Sequence, residues 1–178
     1  MSGPAKYTAE ALNPARHRRN EFSCESPELT EFLHQRARRE AEARASACIV
    51  LVPERDPGQI AGYYTLSAAT ISLSQLPEKI ARRLPRYPEL PATLLGRLAR
   101  DLRFRGQGLG ELLLVSALRR AWVISGIIGS VAVITDPKDE NAAAFYRRFG
   151  FRECDAEGKR LLLPMTEVER SLEQGETA

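Results

Sequence analysis

The sequence predicts an α/β layer fold, and three observations predict it. Strand-like and helix-like segments alternate along the whole chain. Past mid-chain, a glycine-rich and doubly basic turn joins a strand-like run to a helix. With 178 residues, 43% of them hydrophobic, the chain fits one domain over residues 1–178 with a sizeable core, and no repeat or low-complexity tract interrupts it.

Ser26 as N-cap and Pro27 at the first helical position open a helix in which Leu29, Phe32, Leu33 and Ala37 recur on one face, running to about Ala43. Ala47 to Val52 and Ile60 to Ala68 read as strands around a breaker-rich turn, Pro53 to Gly58, and form an expected hairpin. A short helix over Leu76 to Leu84 follows Ser74. Thr93 to Leu102 is the central strand, and Gly108 to about Ser125 a helix. Ser130 to Ile134 is a strand and Asn141 to Phe149 a helix ended by Gly150 in the left-handed region; Phe151 to Cys154 and Arg160 to Leu163 close the fold as strands. The tail over 166–178 sets Glu167, Glu169, Glu173 and Glu176 against Arg170 and reads as acidic and partly disordered.

The turn Arg103-Phe104-Arg105-Gly106-Gln107-Gly108-Leu109-Gly110 has the chemistry of a pyrophosphate cradle. Glycines admit a close backbone approach, the amides and dipole of the new helix favour an anion, and Arg103 and Arg105 offer charge-assisted hydrogen bonds. Glu111 and Leu112 stand where a triphosphate-binding loop needs Lys-Ser or Lys-Thr, which argues against nucleotide triphosphatase chemistry. The turn comes too late, and residues 126–134 hold no carboxylate, so a dinucleotide fold is not expected either.

Arg105-Gly106-Gln107-Gly108-Leu109-Gly110 resembles the acyl-coenzyme A signature of the GNAT N-acetyltransferases, Arg/Gln-x-x-Gly-x-Gly/Ala. Asp139 to Phe151 is similar to the family segment that carries an asparagine facing the cofactor arm, here Asn141, and a tyrosine beside the thioester sulfur, here Tyr146. Tyr87 to Leu98, together with Phe22-Ser23-Cys24 and Pro27-Glu28-Leu29, resembles a narrower group, the tRNA-acetylating toxins of bacterial toxin-antitoxin pairs. The resemblance spans a core of about residues 22–164.

That resemblance implies a single-domain fold with a mixed, mostly antiparallel central sheet whose central strands splay, flanked by helices. It implies acetyl-coenzyme A as donor, held by Leu98, Ala99, Arg100, Asp101, Arg103, Arg105, Gly106, Gln107, Gly108, Leu109, Gly110, Asn141 and Phe145. Backbone amides of Leu98 to Asp101 are the expected oxyanion and pantetheine contacts. Asn141 reads equally as a helix cap, and Phe145 as packing. Tyr146 is the expected general acid, with its packing against Phe145 and Phe149 as the alternative. The chain departs from the toxin pattern in that Arg100 replaces a small aliphatic residue and Leu102 a basic one.

Eight basic residues lie between Lys79 and Arg105 against Glu89 and Asp101, in a chain of net charge +3. Coenzyme A consumes two of these charges at most; of the rest, Lys79, Arg82, Arg83, Arg86 and Arg97, together with Arg16, Arg18, Arg19 and the Arg36, Arg38 and Arg39 helix face, are candidate contacts to an RNA backbone, or a solvated face. An aminoacyl-tRNA acceptor fits the absence of a glutamate base in Thr93 to Arg100, since an α-amino group titrates near 7.7 to 8.0 and needs little deprotonation. An acetyltransferase for small amines or protein N-termini, and a non-catalytic coenzyme A-binding module, are the other readings. The toxin resemblance also implies a small DNA-binding antitoxin as partner and a homodimer.

Cys24, Cys48 and Cys154 are isolated, and with only His17 and His34 beside them neither a metal site nor a disulfide is expected. No apolar run reaches membrane-span length, and the N-terminus lacks a signal-peptide core, so the expected location is cytoplasmic with no membrane contact.

Overall fold

The computed structural model describes residues 5–154 and 157–175. Its strands follow the order β1-β2-β3-β4-β5-β7-β6 in a seven-stranded mixed sheet. Two compact units divide the chain, Met1–Ser67 with Gly96–Ala117, and Ala68–Leu95 with Leu118–Ala178.

In the first unit β1 (Tyr7–Ala11) pairs antiparallel with β2 (Ala47–Pro53), and β2 with β3 (Gly62–Ser72). β1 was not expected from the sequence; only Tyr7 and two further positions in it are even half-buried. The expected helix is present as α1 (Pro27–Glu31), a π-helical turn (Phe32–Arg36) and α2 (Ala37–Glu42). Ser26 caps it by accepting from the Leu29 amide, with Pro27 in the first turn. Its apolar stripe packs Phe32, Leu33 and Ala37 onto Cys48, Val50, Val52 and Tyr63, with Phe22 and Ile60 completing the cluster. Successive residues of β3 serve opposite faces, as strand pleating requires. Tyr63 donates to the Leu29 carbonyl at 2.6 Å, whereas the Tyr64 hydroxyl meets Ser116 at 2.9 Å on α4 (Leu109–Ile128).

The second unit takes the ends of the strands that continue into it. β4 (Glu89–Arg100) pairs parallel with β5 (Ala132–Thr135) through Thr93 opposite Val133 and Leu94 opposite Ile134. A parallel neighbour requires a crossover, which α4 supplies. β5 then pairs antiparallel with β7 (Leu161–Pro164), and β7 with β6 (Arg152–Glu153). Ile71, Leu76, Leu90, Ala92, Ala132, Ile134 and Leu162 form the core. The helix expected over Leu76 to Leu84 is shorter, α3 (Glu78–Ala81), preceded by a 3₁₀ turn over Leu73–Gln75. Gly150, with φ of +92°, ends α5 (Glu140–Arg148) as expected.

Two expectations are corrected. The acidic tail is helical as α6 (Met165–Gly175), because Val168 is buried while Glu169 and Glu173 are exposed and half-buried Glu167 pairs with Arg152; residues 176–178 lie outside the described residues. The C-terminal half of α4 is also longer than expected and carries an exposed apolar end of Trp122, Val123, Ile127 and Ile128.

Gly62 is where the α4 helix comes closest to the sheet: a Cβ there would sit 2.7 Å from Leu113 Cδ1 and 3.0 Å from the Ala99 carbonyl oxygen. Gly62→Ala is therefore expected to cost about 1–3 kcal/mol, and Gly126→Ala, on an open stretch of α4, to add about 0.5–1 kcal/mol. Urea denaturation of both variants checks the opposite signs.

Candidate functional site

β4 ends in a turn whose geometry is set by Asp101, only 1% exposed. Its carboxylate accepts from the Ser23 amide at 3.0 Å, the Arg103 amide at 2.9 Å and the Arg103 guanidinium at 2.8 and 3.0 Å. Its own amide donates to the Ala61 carbonyl at 2.9 Å. Burial opposes ionisation of Asp101, but these hydrogen bonds and the Arg103 charge outweigh it and hold the carboxyl below the ordinary carboxylate range. Neither its side chain nor its amide is open to a ligand, which corrects the expectation that the Asp101 amide faces the cofactor. Arg103 is fixed likewise, donating also to the Glu21 carbonyl, so it braces the turn.

After the 3₁₀ turn Leu102–Phe104, the chain reaches Gly106 and Gly108, with φ of +77° and +72°. A Cβ at either would meet nothing within 4 Å, so glycine is required there by conformation while the space over the turn is open. α4 begins at Leu109, with Gly110 in its first turn; the first amides of a helix lack intrahelical acceptors, and its dipole favours an anion there. Gln107 is oriented by Tyr7, whose hydroxyl donates to its Oε1 at 2.8 Å, and Tyr7 meets Phe104 edge-on at 6.1 Å.

One carboxylate oxygen of Glu25 accepts from both Arg105 at 2.6 Å and Arg100 at 2.9 Å. The Arg105 hydrogen bond is the main reason the Glu25 carboxyl titrates below its usual range. Arg100 Nε is buried with no hydrogen-bond partner among the described residues. Sequence reading missed Glu25, because its partners lie 75 and 80 residues away and no periodicity connects them. Leu98 and Ala99 lie on β4 just before this turn, Leu98 half-buried and Ala99 buried.

The second constellation is in the other unit. Tyr146 lies on the inner face of α5, 6% exposed, its ring 5.3 Å from Phe145 and 5.4 Å from Phe151. Burial pushes its phenol up to about 12, with a hydrogen bond to Thr135 acting in the opposite direction. Thr135 ends β5 and donates to the Leu95 carbonyl at 2.9 Å, so a hydroxyl chain links Tyr146 to β4. Thr135 was also missed, since a threonine closing a strand carries no sequence signal of its own. Phe145 is half-buried against Phe149 at 5.2 Å. The cap of α5 is Asp139, which accepts from the Ala142 amide at 2.8 Å; the cap reading of Asn141 is thereby corrected, and Asn141 stands exposed in the first turn.

Lys79, Arg82, Arg83 and Arg86 are exposed on α3 and the loop after it, Arg82 paired with Glu78. Arg97, by contrast, sets its guanidinium carbon 3.7 Å from the centre of the Phe32 ring and lies within 3.9 Å of Glu40, which restrains it against the protein surface.

Residues 46–153 match the family described as an acetyltransferase (GNAT) domain. The chain is 30% identical to a probable toxin TacT of Sinorhizobium fredii, covering 96% of this chain and 97% of the relative. It is 32% identical to a tRNA-acetylating toxin of Mycobacterium tuberculosis, covering 83% and 86%. Among solved structures, AtaT complexed with acetyl-methionyl-tRNAfMet superposes with a TM-score of 0.85 at 28% identity over 93% of this chain and 99% of that one. A mutant AtaT bound to the C-terminus of the antitoxin AtaR and acetyl-CoA superposes with a TM-score of 0.78 at 25% identity over 94% and 99%.

Because the native carboxyl of Asp101 is depressed, its contribution to stability is complete above the unfolded value of about 3.9 and is lost as pH falls through the lower native value. The stability difference between the wild type and Asp101→Asn is therefore expected to be about 1–3 kcal/mol at pH 7 and to shrink only below about pH 4. Denaturant titrations at pH 7, 5 and 3 measure it.

Proposed function

The chain belongs to the GNAT acetyltransferase family, and from that premise we propose that it transfers the acetyl group of acetyl-coenzyme A to the α-amino group of an aminoacyl-tRNA. The observation that carries the reading is the turn from Arg105 to Gly110, where two left-handed glycines open onto free space at the start of a 20-residue helix. An anionic pyrophosphate fits that place, with the α4 amides and Arg105 as its partners. The acceptor is supported by the exposed cations of α3 and the loop after it, Lys79, Arg82, Arg83 and Arg86, and by the relatives that act on tRNA.

Each residue then has a defined task. The turn holds the donor, and β4 presents backbone groups of Leu98 and Ala99 to its acyl arm. Asn141, exposed in the first turn of α5, is the proposed side-chain partner of an acyl arm. Tyr146 keeps its proton at neutral pH; its hydroxyl hydrogen-bonds Thr135 in the resting protein and becomes a donor towards the departing sulfur by turning from that partner. A phenol this hard to ionise stabilises the developing thiolate by hydrogen bonding; the proton that finally resides on the thiol balances the one the amine gives up on becoming an amide. An α-amino group is already partly neutral at cellular pH, so no carboxylate base is needed.

By the same reading the protein acts in the cytoplasm, where charged tRNA is found, as a toxin that blocks translation. A small DNA-binding antitoxin and a homodimeric state complete the proposal. The exposed apolar end of α4, with Ile127 and Ile128 each more than 70% exposed, supports a protein contact.

The deciding experiment offers labelled acetyl-coenzyme A with charged tRNA, deacylated tRNA, polyamines and peptides. Label on charged tRNA alone is expected, and Tyr146→Phe is expected to lower kcat by about 10²-fold or more with KM for acetyl-coenzyme A unchanged. Label on polyamines or peptides alone overturns the acceptor assignment. A separate expectation concerns Glu25, which neutralises Arg105 in competition with a bound phosphate. Glu25→Gln should lower KM for acetyl-coenzyme A roughly two- to fivefold, the scale of an exposed ion pair; a rise would mean that Glu25 instead positions the arginine.

A further inference from the structure

We propose that Tyr87 and Arg86 form a stacking pocket for one unpaired nucleotide of an RNA ligand, an inference that rests on the RNA acceptor proposed above. Tyr87 is 62% exposed, which is unusual for an aromatic ring and has no packing explanation, since no ring or hydrogen-bond partner holds it among the described residues. It stands in Pro85-Arg86-Tyr87-Pro88, where the following proline restricts Tyr87 to extended backbone. The ring is therefore presented to solvent from a stiff segment, and little further freedom is lost when a ligand covers it.

The opposite wall is equally fixed. Ser72 opens the 3₁₀ turn Leu73–Gln75 through a reciprocal capping box with Gln75, and its hydroxyl meets that of Ser74 at 2.8 Å. Together these residues line a shallow, wide-open depression of about 580 Å³, formed by Ser72, Leu73, Ser74, Arg86, Tyr87 and Pro88. That size is within the range of small-molecule sites. An aromatic face, an arginine and two hydroxyls, with no carboxylate in the lining, match a base, its phosphate and its sugar hydroxyls.

Charge favours nucleic acid over a protein partner here. Lys79, Arg83 and Arg86 have no ion-pair partner among the described residues, and only Arg82 is neutralised, by Glu78. Such a cluster tracks a phosphate backbone and adds no base preference, whereas the ring adds binding to an unstacked base only. The pocket thus distinguishes RNA with a single-stranded end from a closed duplex.

Binding of an RNA hairpin with a short unpaired 3′ overhang, compared with the same hairpin closed to a blunt end, tests this without any acetyl transfer. Wild type is expected to prefer the overhang by roughly tenfold or more; Tyr87→Ala should abolish that preference, and Tyr87→Phe and Tyr87→Trp should retain it. The salt dependence of binding should be the same in all four proteins, because no cation is removed. Equal binding of both hairpins by wild type, or an unchanged preference in Tyr87→Ala, overturns the pocket, as does a Tyr87→Ala defect confined to a protein partner. If wild type prefers the overhang through Tyr87 yet acetylates no charged tRNA, the pocket stands and the acceptor assignment falls. If charged tRNA is acetylated and Tyr87→Ala leaves its KM and the overhang preference unaltered, only the pocket falls.

Discussion

A carboxylate without water must find its hydrogen bonds inside the protein, and the buried Asp101 organises the end of β4 around that requirement. It collects amides from Ser23 and Arg103 and the guanidinium of Arg103, which ties the segment after Phe22 to the turn before α4. The Leu102 amide adds a second tie by donating to the Ser23 carbonyl at 2.9 Å. Glu25 follows two residues later and reaches Arg100 and Arg105. One satisfied charge therefore fixes the backbone of the glycine turn and, through the same segment, the electrostatics of its mouth.

Tyr146 illustrates how one environment serves both packing and chemistry. Phe145 and Phe151 surround its ring and supply the desolvation that keeps the phenol neutral. Thr135 gives its hydroxyl a polar partner on β5, so the burial is not purely apolar. The packing reading of this tyrosine and its proposed role as a donor are not alternatives: the packing is what holds the proton in place.

Much of this was legible in the sequence because it is encoded locally. The cap at Ser26, the proline after it, the glycines of the turn and the left-handed Gly150 each follow from residue chemistry within a few positions. What escaped has longer range or weaker contrast. β1 is a partly exposed edge strand defined by its register with Ala47–Pro53, and its only strong signal is that pairing. Asp139 was overlooked as a cap in favour of Asn141, two positions on and equally suited by type. The glutamates of α6 suggested solvation, yet a single buried residue, Val168, is enough to give that helix an inner face. Arg97 counted as a free cation until its ring partner, 65 positions earlier in the chain, was in view.

The chain has one tryptophan, and Trp122 is on the exposed apolar end of α4, 40% accessible, away from the fully buried cores. Its indole is already partly hydrated in the native protein, so intrinsic fluorescence is a poor gauge of whether either core has melted. The same placement makes it a natural optical probe of that helix end. A molecule that settles over Val123 and Ile127 dries the indole and shifts its emission to the blue, without a label and without disturbing the glycine turn or Tyr146.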